Sequence, residues 1–166
     1  MSSIIPQVLD GNTQVVVLGT GDKQYEDTFR YYEATYHGTF SACIQYDEAR
    51  AHRIYAGADA VLVPSRFEPC GLSQMIAMRY GALPIVRETG GLRDSVVPYN
   101  QYTGEGTGFT FANYNAHEMK DAVERAVRVY REQPEVWTAL MRSAMTADFG
   151  FERSAEEYAR LYIDIL

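Results

Sequence analysis

The sequence predicts an α/β fold, a parallel sheet of Rossmann type with helices on both faces. Short β-branched runs such as Gln14–Leu18 and Val61–Val63 alternate with helix-length amphipathic segments, the order that builds parallel sheets. The strand candidates are almost continuously apolar, as strands covered on both faces are. Each ends in a turn rich in Gly, Pro, Asp or Thr, and right-handed crossovers gather such turns along one sheet edge, where α/β proteins bind ligands.

Taken in order, residues 1–13 lack periodicity and carry Pro6 and Asp10-Gly11, so they read as a tail or lead-in. Residues 14–166 read as one domain. Gln14–Leu18 is a strand closed by Gly19-Thr20-Gly21-Asp22, and Lys23–Tyr36 is a helix with Tyr25, Phe29 and Tyr32 on one face. Thr39–Gln45 is a second strand, and Asp47 is placed to cap a helix that runs to Gly57. Asp59–Pro64 is a third strand and Gly71–Tyr80 the helix after it; Ala82–Val86 is a fourth strand, ended by the turn Glu88–Leu92. The glycine-rich stretch Tyr99–Gly108 is a loop, and Gly108–Phe111 a fifth, short strand. Helices follow over Asn115–Arg131, from Pro134 through Met145, and over Glu152–Leu166.

Bulk properties narrow the function. The 166 residues suffice for one domain with a sizeable core. A formal charge of −7 argues against nucleic acid or an anionic membrane as partner, and no apolar run is long enough to span a bilayer. The two cysteines, Cys43 and Cys70, form no zinc spacing or disulfide framework, which fits a soluble cytoplasmic protein. The 13 tyrosines exceed ordinary usage; most suit amphipathic helix surfaces, although a tyrosine ring can also stack on a sugar or base.

The stretch Val61–Ser73 concentrates the candidate chemistry. An apolar strand breaks at Pro64, passes through Ser65-Arg66-Phe67-Glu68-Pro69-Cys70 and restarts as a helix at Gly71. Helix starts offer free N–H groups and a positive dipole end, so anions bind there. Glu68 can remain ionised beside them and bond sugar hydroxyls or face a developing positive charge; capping the helix or pairing with Arg66 is its plainer role. Cys70 has no histidine close in sequence to activate it, so a packed, inert thiol is expected. His52 reads as a surface or packed helix residue. Gly19-Thr20-Gly21 completes neither a dinucleotide fingerprint nor a P-loop and by itself reads as a turn. In Thr89-Gly90-Gly91-Leu92, adjacent glycines permit close backbone approach to a ligand, or simply a tight turn.

Together, Tyr46-Asp47-Glu48-Ala49, His52-Arg53-Ile54, Gly57-Ala58-Asp59, Pro64–Leu72 and Thr89–Leu92 resemble the bacterial glycogen synthases and plant starch synthases. The likeness continues through Gly108-Phe109, Ala144-Met145 and Asp148-Phe149. It implies the C-terminal half of a glycosyltransferase B fold, whose enzymes transfer glucose from ADP-glucose to an α-1,4-glucan with retention of configuration. On that resemblance Glu68 would be the catalytic carboxylate facing the transferring glucose. The amides of Cys70, Gly71, Leu72 and Ser73 would hold sugar hydroxyls and phosphates. Tyr46 would stack on adenine, Thr89, Gly90 and Gly91 would line the pocket, and Gly19 and Gly21 would join the donor site. Neither metal nor cofactor is implied; ADP-glucose is a substrate, ADP a ligand.

Related branches carry a second glutamate eight positions after the first, where this chain has Ile76; the departure favours the starch and glycogen synthase branch. The family's Arg-Leu-x-x-x-Lys-Gly segment, which binds the donor phosphates, is not found in residues 1–13. The N-terminal domain that holds the glucan is not recognisable either. The chain by itself is therefore expected to bind the donor weakly and to transfer nothing. Self-association through an apolar face of the last helix, left uncovered, is a further expectation. Rival readings are a non-catalytic nucleotide-sugar-binding module and a UDP-glucose-using relative, since Tyr46 could stack on either base. A receiver-like domain is disfavoured because the first strand end supplies one acidic residue, Asp22.

Overall fold

The structure, a computed structural model, describes residues 4–9 and 13–165. Its elements are α1 (Ile5–Val8), β1 (Val15–Leu18), α2 (Lys23–Thr35), β2 (Phe40–Cys43), α3 (Glu48–Gly57), β3 (Ala60–Val63), α4 (Ser73–Tyr80) and β4 (Leu83–Arg87). There follow α5 (Gly90–Ser95), β5 (Phe109–Phe111), α6 (Ala116–Glu132), α7 (Pro134–Thr146) and α8 (Phe151–Ile165).

All strand pairs are parallel, as expected, but they form two sheets rather than one: β1 with β2, and β3-β4-β5. The larger sheet carries the main core. Leu83, Pro84, Ile85 and Val86 are buried in succession along β4, which requires cover on both faces; α4, α5, α6 and α7 all pack against that strand. Met78, Leu92, Phe109, Trp137 and Leu140 fill the space around it, with Phe109 and Trp137 stacked at 6.0 Å. The smaller sheet closes a core of its own, in which Phe40 meets Phe29 and Tyr32 of α2. No ladder joins β1 to β3, and Val16 is 49% exposed. Glu33 of α2 guards the edge of β2 by accepting from the Ala42 amide and the Ser41 hydroxyl.

Residues 4–9, within the expected tail, are folded into the domain. Ile4 and Ile5 are each 3% exposed, and α1 is a helical turn with Pro6 at its start. The apolar pattern Ile4-Ile5…Val8-Leu9 explains it, since i, i+3 and i+4 residues share one face. Ile4 joins the main core while Ile5 and Leu9 join the second. Residues 1–3 and 10–12, with the expected Asp10-Gly11 turn, and Leu166 lie outside the described residues.

The cap read from sequence is present: Asp47 accepts from the Arg50 amide at 2.9 Å. The structure adds a second, Asn115, which accepts from the Glu118 amide at 2.8 Å. Two starts differ from expectation. Gly71 precedes α4 in a left-handed conformation, φ +74°, and the turn expected over Thr89–Leu92 is the start of α5. The last helix stands apart: every described side chain of α8 is exposed, including Tyr158, Leu161, Tyr162 and Ile165.

Candidate active site

The C-terminal ends of β3 and β4 bring two predicted segments together. Gly91 donates its amide to the carbonyls of Glu68 and Pro69 at 3.1 and 3.3 Å, so the loop after β3 lies directly on the start of α5. The fit leaves no space for side chains. A Cβ on Gly90 would fall 2.0 Å from the Glu68 carbonyl oxygen, and one on Gly91 would fall 1.8 Å from that of Cys70. The close approach inferred from the Gly-Gly pair is real, but on this side the approaching group is the chain's own backbone.

From Glu68 to Leu72 each carbonyl of this loop accepts a hydrogen bond from the chain, as do those of Ser65 and Arg66 before it. Arg87, at the end of β4, donates Nε to the Ser65 carbonyl at 3.0 Å and its terminal nitrogens to the carbonyls of Arg66 and Ala112. Gly91 holds those of Glu68 and Pro69. Gln74 Nε2 donates to those of Gly71 and Cys70 at 2.8 and 3.4 Å, and Ile76 N–H takes that of Leu72. No peptide bond here is cis, and across a trans peptide the next residue's N–H points opposite to the carbonyl. The amides of Cys70, Gly71, Leu72 and Ser73 therefore face away from the protein, and among the described residues none has an acceptor. They form a fan at the start of α4, where the helix dipole adds its positive end. A phosphate or sugar hydroxyl fits such a nest.

Glu68 stands at the edge of the fan. Ser65 Oγ donates to its Oε2 at 3.1 Å, which fixes the carboxylate to the same loop that Arg87 tethers. No other donor reaches the carboxylate among the described residues, so Oε1 is available to a ligand. Arg66 lies over the Phe67 ring, 5.5 Å from its centroid; Phe67 and Leu72, 78% and 64% exposed, form an accessible apolar rim. Cys70 is exposed rather than packed, because its carbonyl and not its side chain faces the protein.

The remaining predicted residues lie at the ends of β1 and β2. Gly19, at φ +148°, donates to the Cys43 carbonyl at 3.1 Å, which ties the first turn to the segment leading to Tyr46. Tyr46 is 86% exposed, with its ring open to a stacking partner. The Gly21 amide already has an acceptor, Glu26 Oε1 at 3.1 Å, so a ligand would meet it only after that carboxylate moved. No hydrogen bond or ring contact among the described residues joins this pair of turns to the Glu68 loop. His52 is on the surface, its Nδ1 2.9 Å from the Tyr80 hydroxyl.

Arg87 and Gln74 escaped the reading of the sequence. The signal for Arg87 was a lone cation ending an apolar strand at the ligand edge; for Gln74 it was a polar residue on the buried face of α4.

Comparisons with known proteins identify the family to which this fold belongs. Residues 3–139 match the family model described as Glycosyl transferases group 1. The chain is 50% identical over 162 residues to a glycogen synthase of Clostridioides difficile (strain 630), spanning 98% of this chain and 34% of that protein. It is 52% identical over 149 residues to a glycogen synthase of Bacillus subtilis (strain 168), spanning 90% and 31%. Among solved structures it superposes on the catalytic domain of starch synthase IV from Arabidopsis thaliana, bound to ADP and acarbose. That match has a TM-score of 0.84 and 38% identity, over 98% of this chain and 34% of that one. A sucrose-phosphate synthase from Thermosynechococcus elongatus shares the fold at a TM-score of 0.67 and 22% identity, over 99% of this chain and 41% of that one. The parallel α/β architecture is thus that of one Rossmann-like half of a glycosyltransferase B catalytic domain, and the chain belongs to the group 1 glycosyl transferases.

Proposed function

We propose that this chain is the donor-binding part of a retaining glucosyltransferase that extends an α-1,4-glucan from ADP-glucose. The observation that carries the reading is the fan of four unsatisfied amides beside a tethered carboxylate. In the transfer, the bond between glucose C1 and the diphosphate breaks with its electron pair passing to ADP; an acceptor hydroxyl oxygen bonds to C1, and its proton passes to the leaving phosphate oxygen. Negative charge grows on the leaving phosphate, and the amides of Cys70–Ser73 with the α4 dipole are aimed to stabilise it or to hold the sugar hydroxyls. Positive charge grows on the sugar ring, and Glu68 offers a fixed anion against it. Tyr46 would stack on the adenine, with Gly19 and the Gly21 turn beside it; Thr89 and Gly90 would complete the rim. The starch synthase structure, bound to ADP and acarbose, supports a nucleotide and a saccharide as ligands of such a site. A cytoplasmic location goes with this reading; no described helix is long and apolar enough to cross a membrane.

The chain spans 34% of the length of the Clostridioides relative, so the glucan groove and the phosphate-binding cations belong to the proposal for a whole protein. Alone, the 166 residues should bind ADP weakly and extend no glucan. A titration of the isotope-labelled chain with ADP and with ADP-glucose tests this: shifts should centre on Cys70–Ser73 and Tyr46. In a full-length synthase carrying this sequence, Glu68→Gln should lower kcat by about a thousandfold. Near-normal turnover in that variant would overturn the role of Glu68, and glucan extension by the isolated chain would overturn its inactivity. A donor with uracil is the second reading, favoured if UDP displaces ADP from the Tyr46 site.

A further inference from the structure

Gln74 is a fully buried polar side chain, 0% exposed, on an element that could bury an apolar residue instead. Its Nε2 has two hydrogens and three acceptors: the Gly71 carbonyl at 2.8 Å, the Ser95 hydroxyl at 3.0 Å and the Cys70 carbonyl at 3.4 Å. Its Oε1 is buried with no partner among the described residues. Burying a carboxamide with one end unsatisfied is unfavourable compared with an apolar residue of similar volume. The Cys70 and Gly71 carbonyls lie in a surface loop, where water could have served them. What the amide adds is direction. Turning it over would set Oε1 against two carbonyl oxygens, so the partners themselves fix its orientation.

We infer that Gln74 is a positioning residue that aims the donor-binding amide fan. By holding the carbonyls of Cys70 and Gly71 it turns the N–H groups of Gly71 and Leu72 outward. Ser95 receives its third hydrogen bond and donates in turn to the Gly91 carbonyl at 2.5 Å. The amide of that same Gly91 holds the carbonyls of Glu68 and Pro69, and the latter sets the direction of the Cys70 N–H. One carboxamide thus links three of the four outward amides, and the backbone of Glu68, to α5. Gly71 is required beneath it: a Cβ there would fall 2.7 Å from Gln74 Oε1 and 2.9 Å from Glu68 Cγ. The ligand in this inference rests on the donor-site reading above; the pinning of the loop does not.

The experiment uses the whole labelled chain, with ADP as probe. Gln74→Glu keeps the shape but sets a carboxylate against two carbonyls. At neutral pH the Gly71 and Leu72 amide resonances of the ligand-free variant should move, and ADP affinity should fall about tenfold while the circular dichroism stays native. Burial raises such a carboxyl's pKa, and once protonated its O–H restores a donor. Affinity should therefore recover as pH is lowered, with no such recovery in the parent chain; a packing defect would not be rescued by a proton. Should Gln74→Glu fail to fold, Ser95→Ala removes one link and should weaken ADP about threefold, with shifts confined to the 70–72 and 91 amides. Unmoved Gly71 and Leu72 resonances in the folded variants overturn the inference, and so does unchanged ADP affinity. If the parent chain fails to bind ADP at any concentration, the donor reading falls, and the ligand-free resonances alone decide the pinning.

Discussion

At Gly91 the conformation is ordinary but a methyl group has nowhere to go, whereas at Gly57, the last residue of α3, nothing lies within 4 Å of the added carbon. Gly91→Ala should therefore destabilise the chain by about 2–3 kcal/mol and detach the Glu68 loop from α5. Gly57→Ala should be neutral or stabilise by about 0.5 kcal/mol. Chemical denaturation of both variants checks the contrast; equal effects would mean that the close contact relaxes freely. The place of Glu68 in a loop before a helix start was legible in sequence because proline and glycine punctuate the strand-to-helix turn. The Gly-Gly pair announced a close approach without saying to what. Arg87 and Gln74 were not legible, because their principal partners are main-chain carbonyls and a hydroxyl whose directions only the fold sets. The carbonyls that Arg87 holds lie 21 to 25 positions away.

Among the elements, all five strands and the six longer helices were readable, whereas the short α1 and α5 were not, since one or two helical turns carry little periodicity. Asn115 and Glu118 answer each other across the first turn of α6, and Glu118 also accepts from the Asn113 amide at 2.8 Å and from its side chain. The Asn113 backbone bond, then its side chain, holds the Glu118 carboxyl below its ordinary value of 4.5. A carboxyl lowered by folding contributes stability above its unfolded value and loses it as pH falls through the folded one. The melting-temperature advantage of the parent over Glu118→Gln should accordingly be full near neutrality and vanish at pH values well under 4.5. An advantage that persists in strong acid would contradict the cap. Asp47→Ala should cost about 1 kcal/mol through α3 alone. Strand pairing was less readable. Apolar runs of four residues predict strands without stating their neighbours, and the first two form a sheet apart from the other three.

For the molecule as a whole, α8 and α1 are opposites. The exposed Tyr158, Leu161, Tyr162 and Ile165 of α8 support the proposal that the isolated chain self-associates. A chain ending at Gly150 should keep its melting temperature and sediment as a monomer at concentrations where the full chain does not. A large drop in melting temperature would show that α8 belongs to the fold. The short α1, by contrast, sends Ile4 into one core and Ile5 and Leu9 into the other. The two sheets share no ladder, so this one turn is a joint through which the loss of either core is felt by the other. Coupling between the two cores should therefore depend on Ile4–Leu9. Calorimetry of the parent chain should show a single transition. With Ile4 and Ile5 both changed to Ser, the β1–α2–β2 unit should melt first, as a separate event that carries Gly19 and Tyr46 away while the Glu68 loop is still folded.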